Sequence, residues 1–244
     1  MSDSTTSTPK KVLIVASNPA VSDQTGWPIG FWWAELTHPY WEFVQHGYDV
    51  TIASPQGGAI IADSFSDPED ASGYSASDIL SLGFKKSATH ADLLENTAKL
   101  SDLDLAQYDA VMFIGGQGPM YTFKDNPIVN KAISHFYEAG KPTALVCHAT
   151  CALLDAKGSG GTLIVEGKTW TGFSNEEERQ ADAYVGQKIQ PYWIEDEARK
   201  MSGTTFVVGP PFVPFAVQDG NLITGQQQFS GAQAARTVIA ALEG

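Results

Sequence analysis

The chain has 244 residues, of which 43% are hydrophobic and 18% charged, with a formal net charge of −13. That size suits one large α/β domain with a sizeable core. The acidic balance argues against nucleic acid or an anionic membrane surface as a partner, since both select a basic footprint.

Residues 1–9 are polar and rich in Ser and Thr, without the apolar centre of a signal peptide. They are expected to form a disordered tail ahead of a domain over 10–244. Lys11 to Ser17 is a β-rich run and reads as a buried first strand. Residues 18–29 carry Pro, Gly, Asn and Asp and read as a loop. A helix is expected from about Gly30 to His46, kinked or divided by Pro39 and stopped by Gly47. Tyr48 to Ala53 follows as a second strand. Residues 55–100 lack a clear period and are expected to be an insertion, a helical hairpin or a lid.

Regularity returns with Asp109–Ile114 as a third strand, ending in Gly115-Gly116-Gln117-Gly118. An amphipathic helix spans Asn126 to Ala139, and Thr143–Val146 forms a fourth strand. Thr169–Phe173 reads as another strand, 191–201 as helical and 206–208 as extended. Leu222–Gly225 is a short strand before a last helix from about Ser230 to Leu242. Strands alternating with helices imply a mainly parallel sheet covered on both faces, a three-layer sandwich of flavodoxin-like type. Ligands then bind beyond the carboxyl ends of the strands, where Gly115-Gly116 and Cys147 fall. No apolar run is long enough to span a bilayer.

Cys147 carries the strongest chemical signal. It ends a buried strand and begins a turn into a helix, whose N-terminus would favour the attacking thiolate. Cys151, four residues on, reads as packing. The two lie too unfavourably for a disulfide, so a reducing cytoplasm is the expected compartment. His148 is a candidate acid or base, with its role open on sequence alone. The glycine turn offers backbone N–H groups to an oxyanion but matches neither a dinucleotide nor a phosphate loop. Glu35 stands among Trp32, Trp33 and Leu36. Judged alone, such a carboxylate is expected on the polar face of its helix rather than buried with a raised pKa. Glu176-Glu177-Glu178 reads as a helix start that suits the dipole. His38 is a candidate for lining the pocket. No His or Cys spacing suggests a metal site.

Five segments in this order carry a resemblance: Gly30 to Tyr40, Gly115 to Gly118, Val146-Cys147-His148, Glu166 to Ser174, and Asp219 to Gln226. Together they resemble the ThiJ/PfpI superfamily, which shares its fold with class I glutamine amidotransferases. Within it, they are most similar to the glutathione-independent glyoxalase III branch, whose members are also described as stress chaperones. The resemblance implies Cys147 as nucleophile at an elbow, His148 as its triad partner and Glu35 as a buried carboxylic acid beside the sulfur. It places the triad acid at Glu178 by spacing, with Glu177 and Glu176 as alternatives. It also implies amides of Gly116 and His148 at the oxyanion, with Gln117 and Ala149 at the substrate. The branch usually has Gly-Pro where Ala149-Thr150 stand, and His where Gln117 stands. Both departures are expected at the pocket and leave open a substrate other than methylglyoxal.

The expected activity is cofactor-free conversion of a small reactive carbonyl, an α-oxoaldehyde, to a 2-hydroxy acid by a homodimer. The competing readings are a cysteine hydrolase or hydratase on another small electrophile, and a redox-sensing stress chaperone without turnover.

Overall fold

A seven-stranded sheet, with short apolar runs at its centre and half-exposed strands at its edges, is the frame of this protein. Its strands are β1 (Lys11–Val15), β2 (Asp49–Ser54), β3 (Ala98–Lys99), β4 (Ala110–Phe113), β5 (Thr143–Val146), β6 (Ala216–Asp219) and β7 (Leu222–Gly225). The computed structural model describes residues 8–244. Of the expected tail, Thr8 and Pro9 are exposed and irregular, and residues 1–7 lie outside the described residues.

The sheet order is β6-β7-β5-β4-β1-β2-β3. Every neighbouring pair is parallel except the β6–β7 hairpin. Strands β4, β5 and β7 are buried along their whole length, as a sheet covered on both faces requires. The register pairs Val15 with Phe113, Phe113 with Leu145, and Val146 with Gly225. The segments that leave β4, β5 and β7 therefore emerge at one edge, where Gly115 and Cys147 meet.

Six longer helices accompany the sheet: α1 (Trp33–Gln45), α2 (Ile79–Lys86), α3 (Ala88–Glu95), α4 (Pro127–Glu138), α5 (Asn175–Val185) and α6 (Gly231–Glu243). Helices α1 and α6 pack on each other, while α4 packs on β4 and β5. Pro39 lies inside α1 without dividing it, and the helix starts at Trp33 rather than Gly30. Asn126 caps α4 by accepting N–H bonds from Ile128 and Val129, with Pro127 at the position where a missing N–H costs nothing. Core side chains such as Phe43, Phe113, Phe136 and Trp170 are fully buried. Each contributes about 2 kcal/mol of transfer free energy. Among the described residues no helix is long and apolar enough to cross a membrane.

Three local expectations are corrected. Only Thr169–Trp170 of the expected 169–173 strand is extended, and it pairs with Thr205–Phe206 outside the main sheet. The helical stretch in 191–201 is confined to Ile194–Ala198. The turn after β5 runs into a 3-10 helix, Cys147–Leu154, rather than an α-helix. The Thr150 hydroxyl donates to the Cys147 carbonyl at 2.7 Å in that turn. Residues 55–100 contain α2, α3, the edge strand β3 and a 3-10 turn at Ser64–Ser66.

Candidate active site

The chain reverses so sharply after β5 that Cys147 adopts φ +57°, a left-handed conformation unusual for a residue with a side chain. Holding it costs about 1–3 kcal/mol, a strain typical of functional turns. Gly115 permits the close approach. A Cβ there would sit 2.8 Å from Cys147 Cβ and 2.9 Å from the His148 amide nitrogen. Cys147 Sγ lies 3.3 Å from His148 Nδ1. His148 Nε2 lies 3.0 Å from Glu178 Oε1, and the imidazole stacks on Phe173 at 4.2 Å. With Nε2–H donating to the carboxylate, Nδ1 is left as acceptor for the thiol proton.

The three neighbouring glutamates separate by helix phase. Glu176 is exposed and pairs with Arg179. Glu177 forms a capping box with Ser174, and its other oxygen accepts bonds from the Phe212 amide and Gln226 Nε2, both at 2.9 Å. Glu178 alone reaches His148. Burial raises the Glu178 pKa, while the charge and hydrogen bond of His148 oppose the rise.

Glu35 is fully buried, as the resemblance implies and unlike the polar-face place expected of the residue judged alone. Its Oε2 accepts the Gly115 N–H at 2.8 Å. Oε1 is buried with no hydrogen-bond partner, and Cys147 is the neighbouring side chain that pulls the carboxyl down. Burial pushes the carboxyl up to about 8, against the pull of Cys147 and the Gly115 amide. Glu35 is therefore a mainly neutral acid at pH 7, beside Cys147.

The expected thiolate-favouring helix end does not dominate at Cys147. Burial pushes the thiol up, and a charged Glu35 would push it further, while the amides of His148 and Gly116 pull it down. Protonation of Glu35 removes its repulsion. The resting group is then a thiol 3.3 Å from an imidazole nitrogen able to accept its proton.

The raised Glu35 pKa has a consequence for stability. Its ordinary value is 4.5. As pH rises from about 5 to 8, the unfolded chain gives up this proton while the folded chain keeps it. Stability is thus greatest at the acid end and falls through that window, by an amount on the order of 5 kcal/mol. Glu35→Gln removes the titration. Its stability relative to wild type is expected to improve by a few kcal/mol between pH 5.5 and 8.5. Urea unfolding at both pH values measures this, and an unchanged difference would refute the neutral acid.

Gly116 lies at φ +101°, and a Cβ there would come within 2.6 Å of Phe31 and Trp32 backbone atoms. The turn is tied down by Asp63, a residue that the sequence reading missed. Fully buried Asp63 accepts the Gly30 N–H at 2.9 Å and the Gln117 N–H at 2.6 Å. Burial lifts its pKa to about 7, opposed by those two amides. The Gln117 amide is thereby occupied, and those of Gly116 and His148 are the two that act on sulfur. The only local signal for Asp63 was one acid directly after Ile60-Ile61-Ala62, in a segment crowded with other Asp.

A cavity of about 260 Å³ opens beside Cys147, with Gly116, Gln117, His148 and Glu178 in its wall. Ala149 does not reach it. The 3-10 turn directs its fully buried methyl into the core, which corrects its assignment to the substrate. Thr150 is also outside the wall and fills the space beside Gly172. His38 pairs with Asp78 at 2.9 Å and lines a neighbouring groove instead. Cys151 is buried against the Pro119 carbonyl, 3.4 Å away. Both cysteines are free. Among the described residues no group of three or more His, Cys, Asp or Glu is arranged to hold a metal ion.

An elbow cysteine at the edge of a mainly parallel sheet, next to a histidine and two buried acids, defines a class of α/β proteins. Residues 30–241 match the DJ-1/PfpI family, and the chain belongs to it. Glyoxalase 3 of Candida albicans is 26% identical over 238 residues, which cover 96% of this chain and 98% of that protein. The crystal structure of glyoxalase III from Candida albicans superposes with a TM-score of 0.76 at 25% identity, covering 95% of this chain and 97% of that one. The X-ray structure of Rapid Encystment Protein 24 KDa of Francisella tularensis gives a TM-score of 0.84 at 26% identity, covering 96% and 99%.

Proposed function

We propose that this protein is a glutathione-independent glyoxalase, converting methylglyoxal or a related α-oxoaldehyde to its 2-hydroxy acid without a cofactor. The carrying observation is the line from Cys147 Sγ through His148 to Glu178, with the buried acid Glu35 beside Cys147. The glyoxalase names of its relatives agree with that chemistry.

Cys147 sulfur adds to the aldehyde carbon as its proton passes to His148 Nδ1, giving a hemithioacetal. The new oxygen is stabilised by the Gly116 and His148 amides. His148 passes the thiol proton on to the new oxygen and is neutral again; oriented and charge-balanced by Glu178, it then removes the proton on the former aldehyde carbon to give an enediol and returns a proton to the neighbouring carbon. The product is a thioester of the 2-hydroxy acid. Water cleaves it, releasing the acid and the thiol. One carbon is oxidised as its neighbour is reduced, so no external hydride acceptor is required.

The proton route has a direct test. In D2O, proton NMR of the product from methylglyoxal is expected to show lactate with deuterium at carbon 2. The proton that His148 takes from carbon exchanges with the medium while the ring, in the wall of the open cavity, holds it. Complete retention of protium would contradict the relay, and no lactate would contradict the activity.

A further inference from the structure

We infer that the cavity beside Cys147 selects neutral α-oxoaldehydes bearing an aromatic or similarly bulky apolar group over methylglyoxal. This deepens the glyoxalase reading and rests on it.

The first observation is a collar of rings in the cavity wall. Trp27 meets Phe65 at 5.8 Å, Phe65 meets Tyr184 at 6.0 Å, Tyr184 meets Tyr74 at 5.7 Å and Tyr74 meets Trp32 at 5.9 Å, all tilted or edge-on. Trp27 and Trp32 precede α1, Phe65 and Tyr74 belong to the 55–100 segment, and Tyr184 belongs to α5. Separate parts of the chain thus converge on one ring-lined space. Tyr184 is 61% exposed although its ring joins the wall, so it offers an aromatic face at the rim rather than packing in the core. Edge-to-face geometry is how such rings receive another ring.

The second observation is charge. Apart from the triad members His148 and Glu178, the wall carries no ionisable Lys, Arg, Asp or Glu, and its polar groups are largely glutamine amides. Gln117 and Gln190 each bury an Oε1 with no partner among the described residues. A carboxylate or phosphate on the substrate would meet no counter-ion here, inside a protein of net charge −13. A neutral carbonyl compound needs none. The third observation is size. At about 260 Å³ the space approaches the lower end of drug-sized ligand sites, about 300 Å³. The single methyl of methylglyoxal leaves most of that apolar wall uncovered.

Steady-state kinetics with phenylglyoxal and methylglyoxal test the inference, in wild type and in Tyr184→Ala. The ratio of kcat/KM values is expected to favour phenylglyoxal by about tenfold and to fall towards unity in Tyr184→Ala. A wild-type ratio at or below one, or a ratio unchanged in Tyr184→Ala, overturns it. Binding to Cys147→Ala by ligand-observed NMR separates the cavity from the chemistry. Acetophenone is expected to bind about tenfold more tightly than acetone. If neither aldehyde is turned over but acetophenone is preferred, the glyoxalase reading fails and the aromatic-carbonyl site stands. If the two ketones bind alike, the site is overturned, whatever the fate of methylglyoxal.

Discussion

His148→Ala is expected to lower kcat/KM for methylglyoxal by about 10²–10⁴-fold, the usual contribution of a positioned acid–base group. The imidazole has two tasks that no neighbour can assume. Its Nδ1 stands 3.3 Å from sulfur and is the acceptor for the thiol proton, which burial otherwise holds in place. Its Nε2 stands 3.0 Å from Glu178, so the charge gained on proton transfer is balanced in a buried site. Loss of the ring also strands Glu178. That carboxyl must then protonate or remain buried as an unpaired charge, so the variant loses more stability at pH 8 than at pH 5. Assays at substrate saturation and far below it, paired with melting curves at both pH values, separate the effects. Activity within tenfold of wild type would remove His148 from the chemistry.

The parts of the fold legible in the sequence were those dictated by local pattern. Strands β1, β4, β5 and β7 are continuous apolar runs, and a doubly covered parallel sheet requires nothing more. The α4 helix announced itself through its amphipathic run from Asn126 to Ala139, ahead of Gly140. Strand β6 was not legible, because Ala216–Asp219 is half-buried at the sheet edge and owes its form to pairing with β7. The same holds for β3, two residues long and defined by its partner Ser54.

The site divided along similar lines. Cys147 and His148 were visible because a strand end and a turn fix them within a few residues. The position of Glu178 depends on helix phase. Ser174-Asn175-Glu176-Glu177 is a capping-box sequence that commits Glu177 to the N-cap and leaves Glu178 facing His148. Glu35 misled as an isolated carboxylate, because its burial is made tolerable by Gly115, eighty residues away in sequence. Asp63 was hidden for the same reason: both amides that it holds belong to other segments. The aromatic collar likewise exists only once three distant segments meet.

Cys147→Ala tests the central claim most directly. The substitution keeps Cβ, so the elbow and its Gly115 contact are preserved, and only the sulfur that bonds to substrate is lost. Without it no hemithioacetal forms, and the amides, Glu35 and His148 have no bound intermediate on which to act. Steady-state rates over a panel of α-oxoaldehydes, wild type against variant, are the measurement. The expected result is a loss of at least about 10³-fold in kcat/KM for every aldehyde that the wild type converts, in a protein that remains folded. Turnover within tenfold of wild type would contradict the account.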